Sequence, residues 1–271
     1  MSKGIVFLMY HEVEAAGARV VDESPGYRRY VVSKDQFASQ LDIVARGGFQ
    51  GLNVSQSLAA LHSGTNGKSI VCITFDDGCA SDLQVAAPLL GENNFNATFY
   101  VTVDHLGREG YLTKTELREL SDLGFEIGSH SLTHRHLNDL GATEIQKELA
   151  ESKHALEEVT GKSVEHFSCP GGRVNAVVTE MALAAGYKSV ATSQLGINSA
   201  RSDVFALKRV AIKREMNLKT FARVCSGKGQ FLMKSEDSLL GTGKRLLGNE
   251  RYDRLRANLL ALKDRSSIRQ D

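Results

Sequence analysis

Two adjacent carboxylates, Asp76 and Asp77, stand in "VCITFDDGCASD" straight after a run rich in β-branched and aromatic residues. Asp-Asp-Gly is good turn chemistry in water. Where a buried strand hands over to its loop, however, like charges repel, and each is harder to ionise unless a cation or hydrogen-bond donors compensate. Further along, "FEIGSHSLTHRHL" sets His130 and His134 at i and i+4, a spacing at which two imidazoles can point the same way from one helical turn. One aspartate with two histidines makes a three-ligand set for a divalent cation and leaves a position open for water, as metal-assisted hydrolysis requires. The second aspartate, beside the cation but not bound to it, could take a proton from that water. Adjacent side chains diverge at a strand end, so one can ligate while the other faces a substrate.

Such groups need a scaffold that brings distant segments to one place. Short apolar runs predict strands over Ile5–Tyr10, Ile70–Phe75, Ala97–Val103, Phe125–Gly128, His166–Ser168, Ser189–Thr192 and Ala206–Ile212. Helical patterns lie between them, such as "SKDQFASQLDIVARGG", with Ser33 as N-cap and Gly47-Gly48 as a stop, and "TKTELRELSDLG", capped at Thr113 or Thr115 and closed by Gly124. Regular alternation of strand and helix implies a parallel sheet, because parallel neighbours need a crossover. About seven such units favour an α/β fold with closure into a barrel over an open sheet. Functional groups in parallel α/β folds gather at the carboxyl ends of the strands, where Tyr10-His11, Asp76-Asp77, Ser129-His130 and Cys169-Pro170 fall. The polar, turn-rich segment Gly17–Tyr30 reads as a loop over the mouth of the sheet.

The totals narrow the function classes. A net charge of +1, from 33 basic and 32 acidic residues, gives no reason to expect nucleic acid as a partner. The four cysteines, Cys72, Cys79, Cys169 and Cys225, form no Cys-x-x-Cys pair, and reduced thiols in a cytoplasmic setting are the simplest reading. "GIVFLMY" near the start runs into "HEVE" without a small-residue cleavage site and reads as a first strand. Residues 1–227 carry the alternating pattern. Residues 228–271 read as a helical, Lys- and Arg-rich extension that packs Leu255, Leu259 and Leu262 on the barrel or rests on the inner membrane surface. The sequence carries no signal of oligomeric state.

"TFDDG" (Thr74 to Gly78), "SHSLTH" (Ser129 to His134) and "FSCPGG" (Phe167 to Gly172) resemble, in order and spacing, the first three motifs of the polysaccharide deacetylases, carbohydrate esterase family 4, which share the nodulation-factor deacetylase homology domain. The resemblance runs from about residue 4 to 212. It implies a distorted (β/α) barrel and metal-dependent removal of an N-linked acetyl group from an amino sugar in a polysaccharide, oligosaccharide or glycan precursor. It also implies that Asp76 is the general base, that Asp77, His130 and His134 hold the metal, and that a backbone N–H near Pro170 and Gly171 meets the oxyanion. The ligand set suits Zn2+, and Co2+, Ni2+ or Fe2+ would also fit.

This chain departs from the family pattern at several points. Cys169 stands where many members have an arginine before the third-motif proline, so the group that orients the base must come from elsewhere; Arg209 in "FALKRVAI" is the candidate and Arg173 the runner-up. There is no tryptophan, so Leu195 or Ile197 would line the acetyl pocket. "FLMYHEV" resembles the opening of an exopolysaccharide-modifying branch, which makes His11 the expected general acid. The remaining histidines, His62, His105, His136, His154 and His166, read as solvated or structural, and Cys79 as a small buried filler. Two other readings use the same residues: a metal-dependent phosphoesterase, and a glycan-binding module that keeps the cleft without catalysis.

Overall fold

The computed structural model describes residues 4–228 apart from Ala16, Ala18 and 64–66. The helices expected after Gly227, with Leu255, Leu259 and Leu262, fall on 229–271, outside the described residues. The strands are β1 (Val6–Tyr10), β2 (Val13–Glu14), β3 (Val32–Ser33), β4 (Phe49–Leu52), β5 (Ser69–Phe75), β6 (Thr98–Val101), β7 (Glu126–Ser129), β8 (His166–Ser168), β9 (Ser189–Ala191) and β10 (Val210–Ala211). The α-helices are α1 (Pro25–Arg28), α2 (Lys34–Arg46), α3 (Val54–Ser63), α4 (Ala87–Glu92), α5 (Lys114–Asp122), α6 (Ala142–Thr160), α7 (Ala176–Ala184) and α8 (Leu218–Cys225). The expected caps are in place. Ser33 Oγ accepts from Gln36 N–H at the start of α2, and Thr113 forms a capping box with Glu116 on α5.

In the main sheet the order is β10, β1, β5, β6, β7, β8, β9, with every pairing parallel. β4 is an additional strand that the sequence reading leaves out. A strand has two edges, and β1 occupies one edge of β5 from Val71 to Phe75, so β4 takes the other over Ser69–Cys72 before β6 takes over at Thr74. "FQGL" makes a poor strand by composition because Gly51 has no side chain. The reason is local: a Cβ there would lie 2.7 Å from Phe95 and 2.8 Å from Ile73.

The sheet curls into the expected distorted barrel. Ala191 on β9 forms a parallel bridge to Leu207, whose carbonyl accepts from Thr192 N–H at 2.9 Å, while Val210 and Ala211 pair with β1. Leu207–Ala211 is therefore a seam that laces the two ends of the sheet together. The strand expected over Ala206–Ile212 is short because its two halves serve different neighbours.

Period-two alternation sorts the side chains. Val71, Ile73 and Phe75 of β5 pack outward into the main core under the helices, with Phe99, Phe167 and Val190 from neighbouring strands. Ile70 and Cys72 face inward with Phe7, Tyr100, Ala191 and Leu207, over Val54 and Leu61 of α3, which closes the barrel floor. The same parity puts Thr74 and Asp76 on the inner face of β5, and Arg209 on the inner face of the seam. Among the described residues no helix is long and apolar enough to cross a membrane. The four cysteines are buried and unpaired.

Candidate active site

Asp76 lies at the inner mouth of the barrel, 3% exposed, and Arg209 meets it from the seam, 1% exposed. The guanidinium makes a fork: NH1 donates to Oδ1 at 2.7 Å and NH2 to Oδ2 at 2.8 Å. Its other donors go to Thr192 O at 3.0 Å, Thr74 Oγ1 at 3.2 Å and Ser168 Oγ at 2.8 Å, and it lies 5.5 Å from the Tyr100 ring centroid. A buried ion pair recovers its desolvation cost only when the remaining donors are met, as here. Burial pushes the Asp76 carboxyl up, but the Arg209 charge, His130 and the Arg209 hydrogen bonds outweigh it and hold the group below the usual carboxylate range. Arg173, the runner-up for this place, lies instead on the cleft wall.

Asp77 turns away from its neighbour because its backbone takes a left-handed φ of +86°. Oδ1 lies 3.4 Å from His130 Nε2 and 3.2 Å from His134 Nε2. Among the described residues these three form the one group of potential ligand side chains whose atoms all lie within 4.8 Å of each other. Ligands about 2.0–2.1 Å from a tetrahedral zinc stand roughly 3.3–3.4 Å apart, so the spacing fits. The two histidines do not share a helical turn, as their spacing suggested. They sit on a loop after β7, with Ser131 at φ +70° and His134 at φ +64°, and His134 N–H donates to Ser131 Oγ at 3.0 Å.

The polar pattern asks for a cation. His130 Nδ1 lies 2.7 Å from Ser168 O. A carbonyl only accepts, so Nδ1 carries the proton and Nε2 presents a lone pair to Asp77. Burial lowers the His130 pKa to about 4 against the raising effect of Asp76, which keeps the ring neutral. Burial raises the Asp77 pKa, but close contact with His134 and the charge of His134, His11 and His130 outweigh it and hold the group ionised. Asp77 Oδ1 is buried with no hydrogen-bond partner. Facing lone pairs repel unless something positive lies between them. One oxygen and two nitrogens suit zinc and also cobalt, nickel or ferrous iron.

These groups open into a cleft of about 540 Å³. One wall carries His11, whose ring centroid is 4.9 Å from that of Tyr30, together with Tyr27, Ser24 and Asp22. The segment Gly17–Tyr30 therefore does lie at the mouth, and it contains the short helix α1, capped by Ser24. The cleft is also lined by His136, Gly171, Gly172, Arg173 and Ser193. Pro170 is buried and has no N–H, so a backbone donor can come from Gly171 but not from Pro170. Leu195 and Ile197 do not line the cleft. Both are half-buried and pack against the main core, because Gln194 O accepts from Arg209 N–H at 2.9 Å and draws that stretch along the seam.

A sequence model described as Polysaccharide deacetylase matches residues 63–190. YxkH of Bacillus subtilis (strain 168), named for the polysaccharide deacetylases, is 27% identical over 215 residues, 79% of this chain and 73% of that one. The peptidoglycan-N-acetylglucosamine deacetylase of Bacillus cereus is 31% identical over 126 residues, 46% of this chain and 57% of the relative. Streptococcus pyogenes deacetylase PplD, solved in complex with acetate, superposes with a TM-score of 0.72 at 25% identity, covering 83% of this chain and 99% of that chain. In sequence and in fold, this chain is similar to the polysaccharide deacetylases.

Three residues of the cleft wall escape the sequence reading. Tyr27 and Tyr30 line the cleft, where the sequence reading expects the aliphatic Leu195 or Ile197, and they are hidden because they sit in a polar, turn-rich segment. His136 reads as structural, yet it lines the cleft with Nδ1 3.5 Å from Pro170 O. A Cβ on Gly171 would come within 2.8 Å of its ring, which accounts for glycine there. Cys169, in the place of the family arginine, donates its thiol to Arg173 O at 2.9 Å, and burial pushes its pKa up to about 12. Cys79 is buried against the Tyr27 hydroxyl at 3.4 Å and takes no part in the ligand group.

Proposed function

We propose that the protein hydrolyses the N-acetyl group of an amino sugar in a polysaccharide or related glycan, giving acetate and a free amine. The carrying observation is the pairing of two sites on consecutive residues. Asp76 is held ionised by a buried guanidinium, and Asp77 converges with His130 and His134 at 3.4 and 3.2 Å.

When bound by Asp77, His130 and His134, a divalent cation, with zinc favoured by the donor set, supplies Lewis acidity at the acetamide carbonyl and lowers the pKa of adjacent water. Asp76 accepts the proton of the attacking water, its carboxylate aimed by the Arg209 fork. The Gly171 N–H donates to the oxygen that gains charge as water adds to the carbonyl carbon. His11, whose Nδ1 is buried without a hydrogen-bond partner, gives a proton to the departing nitrogen. The C–N bond breaks, and acetate and the amino sugar leave. A glycan-binding module without catalysis would lack the base or a ligand, whereas Asp76 and the full ligand group are present.

The name of the Bacillus cereus relative points to N-acetylglucosamine in a polymer, and the same chemistry accommodates oligosaccharides and glycan precursors. The test offers N-acetylglucosamine oligomers and nucleotide-linked N-acetyl sugars to the zinc-supplemented protein and follows acetate, free amine and phosphate together. Acetate and amine in equal amounts support the assignment. Phosphate release, or binding without any product, overturns it.

A further inference from the structure

The loop that carries both imidazole ligands is gripped by a carboxylate from another element. Glu148 of α6 is 4% exposed. Its Oε2 accepts from Leu132 N–H at 3.0 Å and Thr133 N–H at 2.9 Å, and its Oε1 accepts from the Thr133 hydroxyl. Leu132 and Thr133 lie between His130 and His134, and left-handed residues, Ser131 and His134, bracket them. Non-glycine residues keep such conformations only where surrounding contacts over-determine them.

His130 has an anchor of its own in Ser168 O at 2.7 Å. His134 is the more exposed ligand, its side chain 37% accessible, and the path of the chain toward it is fixed by the three bonds to Glu148. We propose that Glu148 is a positioning residue for the cation site, setting the spacing between the His130 and His134 imidazoles, and the placement of His134 above all, without touching substrate. This inference rests on the reading of Asp77, His130 and His134 as ligands.

Glutamine can stand in, because its carbonyl oxygen takes the two N–H groups while its amide donates to the Thr133 hydroxyl. Alanine leaves both buried N–H groups without a partner. The experiment compares wild type, E148A, E148Q and T133V. It measures zinc affinity by competition with a chromophoric chelator and the visible spectrum of the cobalt-loaded proteins, with the unfolding temperature of the metal-stripped proteins as a fold control.

Supporting structure around metal ligands is worth about 10–100-fold in affinity, and a loss of that size is expected for E148A, with altered cobalt bands and unchanged KM. E148Q should recover most of it. T133V, which deletes one bond and keeps the shape, should lose less in the same direction. Wild-type affinity and spectrum in both E148A and T133V overturn the inference, as does a loss that E148Q fails to recover. If wild type itself binds no zinc, the ligand assignment falls; equal binding by wild type and E148A removes only the role of Glu148.

Discussion

Asp76 faces a guanidinium and Asp77 faces two imidazoles, so the repulsion between the neighbouring carboxylates is relieved at Asp76 by the chain itself, and the proposed cation would relieve it at Asp77. The partner of Asp76 lies far along the chain, and only the closed seam brings the two together. Arg209 is still nameable from the sequence, because Cys169 leaves the base without its family arginine and "FALKRVAI" offers one at the end of the last clear strand. Replacing Asp76 with Asn removes the proposed base while keeping shape. Zinc affinity should be unchanged and kcat should fall by about 10²–10⁴, the usual worth of a positioned base; steady-state kinetics beside a zinc titration decides. Replacing Arg209 with Met leaves a buried carboxylate unpaired, which costs about 3–5 kcal/mol. Urea unfolding at neutral pH measures it, and a stability equal to wild type would mean the fork does not form in solution.

Most elements were legible because their signals are local. β-branched runs mark the strands, and Ser33, Thr113 and Gly124 mark helix ends. What escaped depends on neighbours. β4 needs Phe95 and Ile73 to explain its glycine, and the histidine loop takes its shape from hydrogen bonds to α6, not from helical spacing. The wall residues Tyr27, Tyr30 and His136 reach the cleft only through the placement of their loops. Gly128 on β7 tests the element packing directly. A Cβ there would lie 2.4 Å from Tyr100, on the ring that faces Arg209. Gly128→Ala should destabilise the protein by about 1–3 kcal/mol through overpacking and lower kcat without weakening zinc binding. A variant as stable and active as wild type would contradict the inward packing of β6 and β7.

At the scale of the molecule, the barrel has a polar floor as well as a catalytic mouth. His166 is buried with Nε2 2.8 Å from Ser55 Oγ on α3 and Nδ1 2.8 Å from Ser189 Oγ on β9, and Glu126 lies 3.6 Å away. Burial lowers its pKa against the pull of Glu126. The unfolded chain therefore takes up a proton near pH 6.5 that the folded chain refuses. The stability tied to His166 is complete above that pH and lost as pH falls toward the folded value. Between pH 7.5 and 5 the urea midpoint should fall less steeply in His166→Gln than in wild type, since His130 contributes equally to both. Parallel slopes would show that the floor histidine is accessible to protons.

If one cation held by Asp77, His130 and His134 is required for acetate release, activity must follow metal occupancy. The most direct measurement strips the protein with a chelator, returns zinc in steps and follows acetate from an N-acetylglucosamine oligomer. Activity should vanish on stripping and rise in proportion to zinc until it levels at one equivalent per chain, with no such recovery in His134→Ala over the same range. Acetate release that persists after complete removal of metal would contradict the account.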